Sequence, residues 1–349
     1  MKPDFYFAIP GDLAALTGGY AYARQLLAAL ANAGFAVVHL ALSASFPAPD
    51  QKALADTEAI FSILPDGATV LVDGLAFGAM ASIALRHAAR LKLIALCHHP
   101  LALETGLTPA MAQALQQSEQ VALSAAVAVV VTSNMTGKIL TQDFAVPAVK
   151  IVVAVPGTEP QAFAECTGIP PVLLTVATLT RRKAHDVLIA ALARITDLPW
   201  LARFVGGLEF DAAWVRHLQQ QVADYGLTER ILFVGAIADA RTEYQQADIF
   251  VLPSLYEGYG MVFAEALSFG LPIVGTRAGA VPEVVRASAG ILVAPSDVEE
   301  LTDALHKVLT QPSCRASLQL GARSAATALP RWRDTAQVII NLIKRVNTQ

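Results

Sequence analysis

The chain is poor in the residues that several classes of protein depend on. It has three cysteines in 349 residues, Cys97, Cys166 and Cys314, far apart and without C-x-x-C spacing. Neither a disulfide framework nor a zinc site is expected from them. No Asp-x-Asp pair and no His-x-x-x-His spacing occurs, so a divalent metal held by paired acids is not expected either. Charged residues make up only 15% and the formal net charge is −4, with no polybasic block. Nucleic acid is thereby excluded as a partner, because neutralising phosphates needs an excess of Lys and Arg. The longest near-continuous apolar run, Val121 to Val131, is interrupted by Ser124 and falls short of the ~20 residues a membrane helix needs. The first apolar stretch, Phe5 to Ile9, stops at Pro10-Gly11 and is too short for a secretory signal. These absences point to a cytoplasmic protein. Peripheral association with the inner face of a membrane stays open, since Ala- and Leu-rich helices can carry an apolar groove.

What the chain does have is hydrophobic bulk, 54% of its residues, as parallel sheets covered on both faces require. Short β-branched runs alternate with longer helical ones, the grammar of βαβ units. Strands are expected at 5–9, 36–42, 69–72, 93–97, 127–132 and 151–155, and again at 172–177, 202–205, 231–234, 249–252, 272–275 and 290–293. Helices are expected at 20–33, with Gly34 ending it, at 78–91, and at 108–126, with Thr108 as N-cap and Pro109 at the first helical position. In the second half they fall at 185–195, 212–225, 260–269 and 298–309. Pro and Gly crowd residues 156–171, which places a linker there. The expected fold is α/β: two Rossmann-like, doubly wound parallel-sheet domains facing a central cleft. They span 1–160 and 161–328, and a helical tail over 329–349 packs on its own domain or crosses back to the first. Ligands of such sheets bind at the carboxyl ends of the strands.

The most informative stretch runs from Pro253 to Leu267, P-S-L-Y-E-G-Y-G-M-V-F-A-E-A-L. It follows an expected strand and opens an expected helix. Gly258 and Gly260 permit close backbone approach, and free N–H groups at the helix start, around Tyr259, Met261 and Val262, suit a diphosphate. Glu257 precedes the turn and Glu265 lies eight residues on, a little over two helical turns. Two acids beside a phosphate site would repel the ligand unless they bind something neutral, and sugar hydroxyls are natural donors to carboxylates. Acids placed to suit the helix dipole would explain one in the first turn but explain Glu265 poorly. A second element, Thr180-Arg181-Arg182-Lys183-Ala184-His185, sets three cations between a strand and a helix, where they could offset a diphosphate leaving group; a solvated basic loop is the plainer alternative.

In these residues the chain resembles the retaining family-4 glycosyltransferases of GT-B fold. The segment Pro253 to Val285 is similar to their donor-site segment, with the E-x7-E motif on Glu257 and Glu265. Gly18-Gly19-Tyr20 resembles their N-terminal glycine loop, Pro156-Gly157-Thr158-Glu159 the linker motif, and Ala177 to Lys183 the phosphate-binding loop. The resemblance implies that Glu257 contacts the donor hexose, Glu265 the ribose hydroxyls, and Arg182 with Lys183 the diphosphate, while Gly19 lines the cleft near the phosphate. The family also uses a histidine after a strand of its first domain, which here falls on His98 or His99. Two departures stand out: Ala177-Thr178 replaces the family's frequent Gly-Arg, and Glu159 stands where the linker usually ends in Asp.

The expectation is therefore a retaining, metal-independent hexosyltransferase with a nucleotide-sugar co-substrate, carrying UDP or GDP, and no other cofactor. The first domain would take the acceptor, a glycan, lipid or small molecule, with Asp73 and Glu104 as candidate contacts for its hydroxyls. One alternative is an NADP-dependent oxidoreductase: Gly258-Tyr259-Gly260 begins a G-x-G pattern but Phe263 occupies the third glycine's place, and Arg277 could meet a 2′-phosphate. The other is a non-enzymatic two-lobed sugar-binding protein.

Overall fold

The computed structural model describes residues 3–348. The first sheet is built from β1 (Phe5–Pro10), β2 (Val37–Leu42), β3 (Thr69–Asp73), β4 (Lys92–Cys97), β5 (Ala128–Val131) and β6 (Ile151–Val153). All pairs are parallel and the order is β2-β1-β3-β4-β5-β6. The central strands are apolar at successive positions because helices cover both faces: Val70, Leu71 and Val72 are all fully buried. The helix Gly18–Asn32 ends where Gly34 takes a left-handed φ of 77° and Phe35 N–H reaches back to the Leu30 carbonyl at 3.0 Å. Thr108 caps the helix Pro109–Ala125 by accepting from Met111 N–H.

One expected helix is broken. Residues 78–91 do not form a single rod; Gly74–Phe77 and Ala81–His87 are separate helices. The Asp73 carboxylate caps the first by accepting from Leu75 N–H, which starts the helix four residues earlier than periodicity suggests. Met80, with φ −122° and ψ 38°, then interrupts it.

The second sheet comprises β7 (Val172–Val176), β8 (Leu201–Val205), β9 (Ile231–Gly235), β10 (Ile249–Leu252), β11 (Ile273–Thr276) and β12 (Gly290–Val293). It too is wholly parallel, in the order β12-β11-β10-β7-β8-β9. Counted from β7 this is the 3-2-1-4-5-6 order of the dinucleotide-binding fold. Each sheet has its own apolar core, one centred on residues such as Val72, Phe77 and Val131, the other on Ile189, Phe204 and Val251. The fold class expected from the sequence is the one found.

The chain divides into two compact units, the first running to Gly157 and resuming at Pro330, the second Thr158–Leu329. The Pro- and Gly-rich stretch is anchored along the second unit: Ala164 N–H bonds the Phe269 carbonyl at 2.8 Å, and Gly168 and Val172 both donate to the Asp248 carboxylate. The last helix, Trp332–Thr348, returns to the first unit. Its Thr335 hydroxyl donates to the Val155 carbonyl at 2.7 Å, and Trp332 packs edge-on against Tyr22 at 5.4 Å. Ile339, Ile340 and Ile343 are buried along its inner face. Ile339→Ala should cost about 2–5 kcal/mol, read as a lowered urea midpoint. An unchanged midpoint would mean that this helix does not share the first unit's core.

Candidate functional site

In the second sheet β7 and β10 are neighbours at the point where the strand order reverses, the place where doubly wound sheets bind ligands. The loops leaving these two strands are tied together there. Leu255 N–H bonds the Arg182 carbonyl at 2.8 Å, and the Arg182 guanidinium donates to the Tyr256 carbonyl at 3.0 Å. The Glu257 carboxylate sits between the loops, buried, with Oε1 accepting from Lys183 Nζ and from Ser254 Oγ, both at 2.6 Å, while Oε2 lies 3.7 Å from Arg182. Burial alone would push this carboxyl up. The Lys183 and Arg182 charges and the two hydrogen bonds outweigh it and hold the group below its ordinary value.

Arg181 does not join the other two cations. Residues 181–183 form a 3₁₀ turn, whose three residues per turn send successive side chains in different directions. The Arg181 guanidinium lies 4.3 Å from the centre of the Trp214 ring instead. The three-cation reading of this loop is thus corrected to two.

Beyond Glu257 the turn reaches Gly260, with φ 88°, and the helix Met261–Ser268 begins. Gly260 has no side chain to cap the helix, and of the first helical N–H groups that of Phe263 turns back to the Gly260 carbonyl at 2.9 Å. That end is suited to an anion. Tyr259 is buried and its phenol is pushed up to about 12, by burial and then by the Glu283 charge; the turn presents its backbone rather than its ring. Gly279, with φ 56°, lets Ala280 N–H reach the Glu257 carbonyl at 2.9 Å. Glu265 is half-buried about one turn into the helix, and Oε2 accepts from the Tyr244 hydroxyl at 2.9 Å. Burial raises this carboxyl, against the lowering effect of the phenol.

In the first unit, a second group gathers at the carboxyl ends of β3 and β4. His98 Nε2 is 3.7 Å from Asp73 Oδ2, within reach of an ion pair but too long for a hydrogen bond. Burial lowers the imidazole against the pull of Asp73, and burial raises Asp73 against His98 and the Leu75 N–H. Tyr22 meets the His98 ring edge-on at 4.9 Å, and a Cβ built on Gly19 would stand 3.8 Å from His98 Cδ2. Gly19, Asp73 and His98 are therefore brought together. Glu104 lies on the exposed segment beyond, its carboxylate accepting from Thr105 N–H at 2.9 Å. Beneath that segment, Glu119 is buried and accepts from Leu101 N–H and Ala102 N–H, at 2.9 and 3.1 Å.

Residues 170–311 match the protein family described as "Glycosyl transferases group 1". The chain has the GT-B fold. It is 29% identical over 188 residues to the GDP-mannose-dependent alpha-(1-6)-phosphatidylinositol monomannoside mannosyltransferase of Mycolicibacterium smegmatis, covering 50% of this chain and 48% of that one. The chain thus spans about half the length of the curated relatives it matches. Among solved structures it is similar to a sucrose-phosphate synthase from Thermosynechococcus elongatus (TM-score 0.82, 22% identity, 99% of each chain). It is also similar to the Anabaena protein HepE in complex with UDP and glucose (TM-score 0.77, 18% identity, 98% of this chain and 100% of that one).

Several neighbours of these residues were not legible as such in the sequence. Tyr244 stands 21 residues before Glu265 and on a different helix, and Glu119 lies on a helix whose periodicity marks only its apolar face. Ser254 was legible only as part of the segment that carries Glu257. Arg277, the residue that hinted at NADP, is engaged by Glu300 at 3.1 Å and by the Leu292 carbonyl. Among the described residues no group of three or more His, Cys, Asp or Glu side chains could hold a metal ion, and no helix is long and apolar enough to cross a membrane.

Two predictions follow from this geometry. A Cβ on Gly279 would stand 2.2 Å from the Glu257 carbonyl oxygen, at a φ that L side chains rarely adopt. Gly279→Ala should cost roughly 2–3 kcal/mol and lower the thermal midpoint; a midpoint unchanged would show that this turn does not hold Glu257. Burial raises Glu119 from 4.5 to about 7, against its two N–H partners. The folded protein therefore binds the proton more tightly than the unfolded chain, and this contribution to stability is lost as pH rises through that window. The gap in urea midpoint between the native protein and Glu119→Gln should accordingly differ between about pH 5 and about pH 8, shifting in the native protein's favour at the lower pH. A gap independent of pH would contradict the assignment.

Proposed function

We propose that this chain transfers a hexose from a nucleoside-diphosphate sugar to an acceptor hydroxyl, with retention at the anomeric carbon and without a divalent metal. The observation that carries the reading is the Lys183–Glu257–Arg182 cluster beside the uncapped helix start at Gly260, at the strand reversal of the second sheet. Cations and backbone N–H groups converge on one place, as a diphosphate requires, and acids flank them, as sugar hydroxyls require.

In this reading the second unit holds the donor. Lys183, Arg182 and the N–H groups of Gly258, Tyr259, Gly260, Met261 and Val262 hold the diphosphate. Glu257 accepts from hexose hydroxyls and Glu265 from the ribose. As the bond from the anomeric carbon to the β-phosphate oxygen breaks, its electron pair and a negative charge pass to the diphosphate. Lys183 and Arg182 offset that charge, and being fixed by Glu257 and the Tyr256 carbonyl they need no reorganisation to do so. The acceptor oxygen bonds to the same face of the anomeric carbon and passes its proton to the departing phosphate oxygen. Asp73 and His98 of the first unit, with Gly19 beside them, are the groups this reading assigns to the acceptor or the sugar; His99 and Glu104 lie on the segment that follows.

The named relatives support the nucleotide choice in both directions, one being GDP-mannose-dependent and one structure holding UDP and glucose. The acceptor is a glycan, a lipid or a small molecule; a lipid would bring the cytoplasmic protein to the inner face of a membrane. A panel of UDP- and GDP-sugars, assayed for nucleotide release, tests the reading. One sugar should support turnover, and Lys183→Ala should lower that turnover by about 10²–10³. Turnover undiminished in the variant would falsify the role of Lys183.

A further inference from the structure

Glu265 is not free to take any rotamer. Oε2 is bonded by the hydroxyl of Tyr244, which is 2% exposed and comes from the separate short helix Arg241–Gln245. Three features fix that hydroxyl. The Tyr244 ring lies nearly parallel to Phe269, 9° and 5.2 Å away, and is also stacked with Phe250 at 6.0 Å. The neighbouring Glu243 receives two bonds from the Arg203 guanidinium on β8, at 2.6 and 2.7 Å, the paired geometry that adds orientation as well as energy. The Val262 carbonyl lies 3.5 Å from the phenol, a much longer contact. A phenol has one proton to give, and here it goes to the carboxylate.

We propose that Tyr244 is a positioning residue for nucleotide recognition: its hydroxyl pins one oxygen of Glu265 and leaves Oε1 as the acceptor for a ribose hydroxyl. The inference rests on the reading of Glu265 as the ribose contact. A carboxylate held by one fixed donor loses little further freedom when a ligand arrives, so less of the binding free energy is spent on ordering it. The same hydroxyl favours the charged carboxylate that a ribose hydroxyl needs, against the burial that disfavours it. Of the other charged groups on elements packed against this helix, Arg323 donates to the Ala164 carbonyl and lies over Phe163, Arg315 acts with Arg323 on the Cys166 thiol, and Glu283 acts on Tyr259.

The test is calorimetry on the full chain with UDP and GDP, and with the 2′,3′-dideoxy analogue of whichever binds. Tyr244→Phe keeps the aromatic stack and removes the hydroxyl. It should weaken the ribonucleoside diphosphate about tenfold and leave the dideoxy analogue unchanged. It should also move the acid limb of binding to higher pH, because burial of Glu265 is then unopposed. The ratio of the two affinities within one variant does not depend on the fraction folded. Equal weakening of both ligands, or no weakening of either, overturns the proposal. Glu265→Gln separates the two levels. If it leaves the ribonucleoside diphosphate unaffected, the ribose reading itself fails; if it weakens that ligand while Tyr244→Phe does not, only the role of Tyr244 fails.

Discussion

The second unit of this protein depends on one buried carboxylate. Glu257 is held by the Lys183 ammonium, the Ser254 hydroxyl and the nearby Arg182 guanidinium. Without them a charge so buried would be costly; with them it stays ionised and fixes both cations. The two loops it joins leave β7 and β10, which lie side by side only because the strand order reverses there. Topology supplies the meeting point, and the ion pair makes it a defined site.

Around that centre the remaining parts act by restricting motion. The backbone bond from Leu255 to Arg182 fixes the spacing of the loops, and the left-handed Gly279 turns Ala280 back to the Glu257 carbonyl. Gly260 starts a helix without a capping side chain. Glu265 is held from a second helix by Tyr244, itself held by stacked rings and by the Arg203–Glu243 pair. The first unit repeats the logic at lower charge: Asp73 and His98 stand at the ends of adjacent strands, with the small Gly19 beside the imidazole.

Much of this was legible in the sequence, for reasons that differ between elements. The strands were readable because buried parallel strands must be apolar at every position, as Val70 to Val72 and Ile249 to Leu252 are. Helix ends were readable where local chemistry sets them, at Gly34 and at Thr108-Pro109. The helix expected over 78–91 failed because its start is decided by the side chain of Asp73, a residue that reads equally well as the end of a strand. At the site, Glu257, Glu265, Arg182 and Lys183 carried a local pattern, whereas Arg181 was misread because adjacency in sequence says nothing of direction in a 3₁₀ turn. Tyr244 and Glu119 were invisible for a different reason. Their partners are distant in the chain, and only the fold brings the groups into contact.

The most direct measurement is a crystal structure of the whole chain grown with the nucleoside diphosphate that binds it. The account predicts phosphate oxygens within hydrogen-bonding distance of Lys183 Nζ and of the backbone N–H groups between Gly258 and Val262, with a ribose hydroxyl on Glu265. A nucleotide bound elsewhere, with the Lys183–Glu257 pair undisturbed and no phosphate near the Gly260 turn, would contradict it.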